Sequence, residues 1–151
     1  MRGKILAVIV SFLVAGAVLG QAHGGAAKKA VVWPAADLKW MDMTDAPPGA
    51  KVVDLWGDHT KGAYGAMMKF PAGFTAPLHT HTSDMRIVVV SGTFIHTPEG
   101  KPEVRLGPGS YLMQPGGNYR HSTGCDKASD CVFFAESKGK FDIKMVGAPK
   151  K

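Results

Sequence analysis

Short apolar segments separated by turn residues run along the chain from residue 31 onward. Many of the breaks combine Pro and Gly, as in Pro71-Ala72-Gly73 and Gly107-Pro108-Gly109, and such clusters favour turns because Gly reaches positive φ and Pro restricts φ. No segment keeps the apolar period of a helix over a helix's length. Strands are predicted at residues 31–33, 39–43, 51–56, 64–70, 74–81, 85–90, 93–97, 104–106, 110–113, 119–123, 131–137 and 141–146.

This pattern predicts an all-β fold. Regularly spaced short strands are typical of a closed barrel or of a double-sheet jelly roll. The 151 residues are enough for one ordinary domain. The 19 Gly and 10 Pro show no repeat period, which excludes a collagen-like chain.

The N-terminal segment has the layout of an export signal. Arg2 and Lys4 form a basic region. Residues 5–19 form an apolar run of fifteen residues that is interrupted only by one serine. Residues 20–22 place small side chains where a signal peptidase cuts. As a helix this run rises about 22 Å, short of the roughly 30 Å hydrocarbon core. A cleaved signal peptide at residues 1–22 is therefore predicted, with cleavage after Gly24 as the second choice and an uncleaved anchor as the alternative.

Cleavage after residue 22 sets the other expected boundaries. These are a flexible tail at residues 23–30, a single β domain at residues 31–147 and a C-terminal tail at residues 148–151. We expect the mature protein to be periplasmic or secreted, with no stable membrane insertion once the signal is removed.

The charge pattern does not predict a nucleic-acid partner. Lys and Arg number 18 against 12 Asp and Glu, for a net charge of +6. Arg2 and Lys4 leave with the signal peptide, so +4 remains, and the lysines are scattered along the chain.

Cys125 and Cys131 are the two cysteines of the chain, and they flank a short polar stretch. Export leads to an oxidising compartment, so a disulfide is the expected state. A free thiol pair or a cysteine-based metal site is the alternative, although a closed zinc site needs four ligands.

Three histidines carry the candidate chemistry. His79 and His81 are two residues apart in a predicted strand, so both imidazoles project from the same face and can chelate one ion. His121 lies in a later predicted strand.

The residues around these histidines form two spaced blocks. In the first, Gly73 is followed after five residues by His79-Thr80-His81, after three more by Met85 and after six more by Gly92. In the second, Gly109 is followed after five residues by Pro115-Gly116-Gly117 and then by His121 and Cys125. With 16 residues between them, the two blocks resemble the paired motifs of the cupin superfamily, in particular small exported bacterial cupins.

The resemblance implies a cupin-type double-stranded β-helix, or jelly-roll barrel, across residues 31–147. In the family, two histidines and an acidic residue of the first motif and one histidine of the second hold a metal. His79, His81 and His121 match three of these positions. Met85 stands at the usual glutamate position, His121 comes one residue late, and Cys125 replaces the usual asparagine.

A three-histidine centre for one divalent transition metal is therefore expected, with Fe(II) first and copper or zinc next. The resemblance to three-histidine cupins implies a dioxygenase-like enzyme acting on a small, anionic or enolisable substrate. A non-catalytic metal- or ligand-binding cupin is the alternative. Met85 could be a soft fourth ligand for copper or only a packing residue. A bulge that turned the Asp84 carboxylate inward would also supply a fourth ligand.

Tyr119 is the candidate catalytic residue, because it lies two residues before His121 and so shares its face on a strand. There its phenol can hydrogen-bond a substrate carbonyl. Gln114, Met113, Phe133 and Met67 are candidate pocket-wall residues.

The remaining histidines carry weaker hypotheses. His59 is expected in a loop, solvated or bonded within the turn, with a role near the site as the alternative. His96 lies on a predicted strand, and the sequence leaves both orientations of its side chain, inward and outward, as alternatives. Cleavage after residue 22 would make His23 the new N-terminus, which could chelate copper. The apolar segment at residues 87–90 suits packing against a second copy, so a homodimer is expected.

Overall fold

The structure is a computed structural model that describes residues 29–147. The predicted signal peptide, His23 and the C-terminal tail lie outside these residues. Within the described part, no helix has the length and apolar character needed to cross a membrane.

The regular secondary structure of the described residues consists almost entirely of strands, which are joined by turns and loops. One 3-10 turn spans Ala35–Asp37. The strands are β1 (Met41–Asp42), β2 (Lys51–Gly57), β3 (Tyr64–Phe70), β4 (Thr75–Thr80), β5 (Met85–Ser91), β6 (Phe94–Pro98), β7 (Val104–Leu106), β8 (Tyr111–Gln114), β9 (His121–Cys125), β10 (Cys131–Ser137) and β11 (Lys144–Met145).

These strands form two antiparallel sheets. Sheet A has six strands in the order β1-β2-β3-β10-β5-β8, and sheet B has five in the order β11-β4-β9-β6-β7. Most neighbours are far apart in the chain, as expected for a jelly roll. The predicted all-β fold is confirmed.

The core follows from the two-residue alternation of the strands. On β10 the residues alternate between buried and half-buried positions from Cys131 to Ser137, and on β5 Met85, Ile87 and Val89 are buried. Successive side chains of a strand point to opposite faces, so these residues face the interior. The apolar inner faces of the two sheets enclose one core.

The first motif's Gly92 is required by a close backbone approach. Its φ is 74°, and a Cβ there would lie 2.3 Å from the carbonyl oxygen of Asp130. Glycine alone adopts this conformation readily and leaves the space.

One predicted strand is absent, and two others are shorter than predicted. Residues 31–33 form no strand, and the side chains of Val32 and Trp33 are exposed. The strands predicted at residues 39–43 and 141–146 shrink to the two-residue pairs β1 and β11. Both lie at sheet edges, where a strand has only one neighbour to stabilise it.

Cys125 and Cys131 form the predicted disulfide. It joins the end of β9 to the start of β10 and closes the loop between the two sheets. On the chain-entropy account, a disulfide that closes so short a loop stabilises the folded state by about 2 kcal/mol.

Candidate metal centre

Sheet B brings His79 and His121 together. His79 lies on β4 directly opposite His121 on β9, and His81 follows just after the end of β4. The three side chains are 2%, 0% and 5% exposed for His79, His121 and His81. Their ring centroids lie 4.3 Å apart for His79 and His121, 4.9 Å for His79 and His81 and 5.2 Å for His81 and His121.

Each ring is oriented by a backbone carbonyl oxygen. Nδ1 of His79 lies 2.6 Å from the oxygen of Pro77, Nδ1 of His81 contacts that of Asp142, and Nδ1 of His121 makes a longer contact of 3.4 Å with that of Tyr119. A carbonyl only accepts, so Nδ1 carries the proton in all three rings. Nε2 is left as the lone-pair atom, and this arrangement is typical of metal-binding histidines.

The three histidines fit a single ion. Each offers a ligand atom, and these atoms lie within 4.8 Å of one another. A ring nitrogen binds zinc at about 2.0–2.1 Å, so two ligands of one ion lie at most about 4 Å apart, and small side-chain movements suffice. Nε2 of His121 is buried without a hydrogen-bond partner, as expected of an atom reserved for a metal.

Burial keeps these rings neutral at pH 7. The pKa of His81 is lowered to about 4 and the pKa of His121 to about 3, in both cases mainly by desolvation and in addition by the neighbouring histidines. Desolvation also lowers the pKa of His79. A neutral imidazole offers its lone pair without first losing a proton.

Met85 faces the same cavity, and Asp84 does not. Met85 is buried, and its Sδ lies 3.5 Å from the amide nitrogen of Gln114. The Asp84 carboxylate is at the surface, where it accepts a hydrogen bond of 2.8 Å from the backbone N–H of Gly116. The alternative in which a bulge turns Asp84 inward is wrong, because β5 begins regularly at Met85, in register with Gln114.

The interior cavity beside the histidines is small and mostly apolar. Its volume is about 30 Å³, roughly that of one water molecule. The polar lining consists of His79, His81, Gln114 and Thr123, and the rest is dominated by aromatic and aliphatic side chains, among them Phe133. Of the four predicted wall residues, Gln114 and Phe133 line it. Met113 and Met67 do not, because Met113 is exposed and Met67 lies on the outer face of sheet A.

Tyr119 reaches the site by a different route from the one predicted. It precedes β9, which begins at His121, so the two residues do not share a strand face. Its ring nevertheless packs on His121 with centroids 5.3 Å apart. Its hydroxyl lies 2.8 Å from Nε2 of His96.

The sequence left the orientation of His96 open, and the structure places it inward. It lies on β6 opposite Thr123 of β9, its ring centroid is 5.0 Å from that of His121, and burial lowers its pKa. The signal that could have found it is the alternation with buried Phe94, two residues earlier on the same strand.

His59 belongs to a separate group with Asp54 and Asp58. Its Nδ1 lies 2.9 Å from the Asp54 carboxylate, while the Asp58 carboxylate is bonded to Thr60 and Lys61. His59 lies in the turn after β2, as expected, but its ring is bonded to a carboxylate of the preceding strand and not within the turn.

Fold and site together define a protein of the cupin class, with a three-histidine cluster that fits a divalent metal ion. Within that class, the chain belongs to the family described as Domain of unknown function (DUF4437), which matches residues 28–148. A search of curated proteins gives no match.

Solved structures with the same fold include enzymes. The polyketide cyclase RemF from Streptomyces resistomycificus is 15% identical, with 81% of this chain and 89% of that chain covered and a TM-score of 0.67. The DMSP lyase DddQ from Ruegeria pomeroyi DSS-3 is 21% identical, with 77% and 64% covered and a TM-score of 0.59. A protein of unknown function with a cupin-like fold from Ralstonia eutropha is 21% identical, with 74% of each chain covered and a TM-score of 0.60. At these identities the likeness shows the fold, and the function must be argued from the site.

Proposed function

We propose that this chain is an exported mononuclear metal-binding cupin that acts as an oxygen-dependent, dioxygenase-like enzyme on a small, anionic or enolisable substrate. His79, His81 and His121 would hold one divalent ion, Fe(II) first and copper or zinc next. The observation that carries the proposal is the set of three buried imidazoles, each with Nδ1 tied to a carbonyl and Nε2 free. Imidazole suits all three metals.

The charge of the site favours an anionic ligand. The three histidines are neutral, and the residues that line the cavity include no carboxylate. An ion held by neutral ligands keeps its full positive charge, and a substrate carboxylate or enolate would reduce it. This is the basis for the proposed substrate class.

A bound ion would supply Lewis acidity, and Fe(II) would in addition supply oxygen chemistry. The chain supplies the surroundings. The apolar side chains around the cavity exclude water, which strengthens electrostatic interactions inside it. The Tyr119 hydroxyl contacts Nε2 of His96 beside His121. When this Nε2–H donates to the phenol oxygen, the phenol proton is available to donate a hydrogen bond to a substrate carbonyl.

A non-catalytic role in binding a metal or a small ligand is the second candidate. It is favoured by the cavity volume of about 30 Å³, which leaves little room for a substrate beside an ion. In this case copper is the metal of interest, because the buried Met85 thioether lines the cavity with His79 and His81 and soft sulfur ligands select Cu(I).

A homodimer is also proposed. Met67, Phe134, Val88 and Tyr111 lie side by side in register across the outer face of sheet A. Val88 is 39% exposed, and Tyr111 is 59% exposed. Such an apolar row on a sheet face suits packing against the same face of a second copy.

The first experiment is elemental analysis of the protein exported by its host and purified without chelator or histidine tag. Wild type is compared with His81→Ala and Met85→Leu. Stoichiometric iron that is lost in His81→Ala and kept in Met85→Leu supports the enzyme, and oxygen uptake is then screened with diketones and aryl ketones. Stoichiometric copper that Met85→Leu weakens supports the binding protein instead. Absence of metal after reconstitution overturns both.

Export is tested on the same material. A mature protein whose N-terminal sequence starts at His23 supports the predicted cleavage after residue 22. An intact Met1 in the purified protein contradicts it.

A further inference from the structure

Four buried polar side-chain atoms among the described residues have no hydrogen-bond partner. They are Oη of Tyr64, Nδ1 of His96, Oε1 of Gln114 and Nε2 of His121. Buried polar groups are almost always paired, so each of these calls for an explanation. The proposed ion accounts for His121. Gln114 Oε1 is the one carbonyl oxygen of the set, and it can only accept a hydrogen bond or bind a cation.

Gln114 lies beside the position that lacks a carboxylate. It is the last residue of β8 and pairs directly with Met85 on β5, and Met85 stands where the cupin motif usually has its glutamate. Gln114 is 2% exposed. It lines the same small cavity as His79 and His81.

The contact with Met85 orients the amide. The Nε2 group of Gln114 lies 3.5 Å from Met85 Sδ. A thioether sulfur accepts hydrogen bonds and cannot donate one, so the NH₂ end of the amide belongs on the sulfur side. Oε1 is then directed away from Met85 and has no protein partner among the described residues.

We infer that Gln114 Oε1 is a fourth protein ligand of the metal, a neutral oxygen that takes the place of the missing carboxylate. The inference rests on the proposed metal site. Three imidazole nitrogens and one amide oxygen are all neutral ligands, so they do not offset the positive charge of the ion. An oxygen ligand is harder than the Met85 thioether, and it favours Fe(II) or zinc over Cu(I).

The other two unpaired atoms are less well placed for this role. Tyr64 is separated from Met85 by a whole strand in the same row of sheet A, because Met85 pairs with Ser137 and Ser137 with Tyr64. His96 is held by Tyr119 through Nε2, and it is outside the group of histidines whose ligand atoms lie within 4.8 Å of one another.

The test compares the Co(II) affinity of wild type, Gln114→Leu, Gln114→Glu and Met113→Leu by competition with a chromophoric chelator. Gln114→Leu keeps the approximate size and removes the oxygen, so affinity should fall at least about tenfold, the loss seen even when a group only supports a metal ligand. Gln114→Glu supplies an anionic oxygen and should bind more tightly than wild type. Met113→Leu, on the outer face of the same strand, is the matched control and should bind like wild type.

A structure of the Zn(II)-loaded wild-type protein tests the same inference without a substitution. Oε1 of Gln114 at about 2.0–2.2 Å from the ion supports it. An amide directed away from the ion overturns it, as does a folded Gln114→Leu protein with wild-type Co(II) affinity. His81→Ala separates the two proposals. If it loses the ion while Gln114→Leu keeps it, only the role of Gln114 is wrong, and if wild type binds no ion, the proposed metal site is wrong.

Discussion

The Tyr119 hydroxyl lies 2.8 Å from Nε2 of His96. The carbonyl oxygen of the same residue contacts Nδ1 of His121, so one residue of the loop before β9 contacts two of the buried imidazoles. The tyrosine ring also packs on both imidazoles. The loop before β9 therefore packs against the inner face of sheet B at the candidate site.

Removing that hydroxyl should destabilise the fold. In Tyr119→Phe the ring remains, but Nε2 of buried His96 loses its partner, at a cost of about 1–3 kcal/mol. The measurement is the free energy of unfolding of the metal-free protein in urea. Tyr111→Phe, which alters an exposed ring, is the control and should have little effect. Equal stability of the two variants would show that the Tyr119–His96 bond contributes nothing.

Metal should stabilise the protein through the three histidines. An ion that binds only the folded state at 100 times its Kd adds about 2.7 kcal/mol to the free energy of unfolding. We expect the Tm to rise with added Co(II) or Zn(II) and to return to the metal-free value with chelator. His81→Ala should show no such rise. A Tm that rises equally in His81→Ala would place the bound ion elsewhere.

The metal-free protein should lose stability in mild acid. His81 and His121 have pKa values of about 4 and about 3 in the folded protein, below the ordinary value of about 6.5. The unfolded chain therefore binds more protons in this range, and stability is complete above about pH 6.5 and is lost as the pH falls toward 4. Each group contributes up to about 1.4 kcal/mol per pH unit.

Urea unfolding of the metal-free protein at pH 7.5 and pH 5 measures this dependence. The free energy of unfolding should be lower at pH 5. His81→Gln removes one of the histidines whose pKa is lowered and should reduce the difference in the free energy of unfolding between the two pH values. An equal free energy at both pH values would mean that the rings are not buried as described.

Much of this centre was predictable from the sequence, because its determinants are local. The two-residue spacing of His79 and His81 places both on one face of a strand, and the two motifs around them identify the fold. Cys125 and Cys131 are close together in the chain, so the expectation of export to an oxidising compartment was enough to predict that they pair. In both pairs, the residues that act together are also close together in the chain.

The rest depends on pairing between distant segments. The inward orientation of His96 follows from its place opposite Thr123 on β9, and the proximity of Gln114 to Met85 follows from the β5–β8 register. Register is set by the packing of whole sheets, and a shift of one residue turns every side chain to the other face. The contact of His81 with the Asp142 carbonyl spans 61 residues, which no local pattern encodes.

Replacement of Gly92 by alanine should lower the free energy of unfolding more than the same change at Gly100, which has a similar φ and free space at its Cβ position. Gly92→Ala adds the left-handed conformational cost of about 1–2 kcal/mol to a collision with the Asp130 carbonyl. Gly100 has a φ of 70° and no heavy atom near its Cβ position, so Gly100→Ala carries the conformational cost alone. Urea unfolding should rank Gly92→Ala as clearly the less stable. The same loss in both variants would contradict the close approach at Gly92.

The apolar row on sheet A should control the oligomeric state. Val88 lies between Phe134 and Tyr111 in that row, so Val88→Glu would bury a charge if two copies packed face to face, and an unpaired buried charge is costly. Light scattering after size exclusion should give a dimer mass for wild type and a monomer mass for Val88→Glu. Val88 is exposed within one chain, so the variant should remain folded. Val104→Glu, at an exposed position on β7 of the other sheet, should remain dimeric. A monomeric wild type would contradict the proposed homodimer.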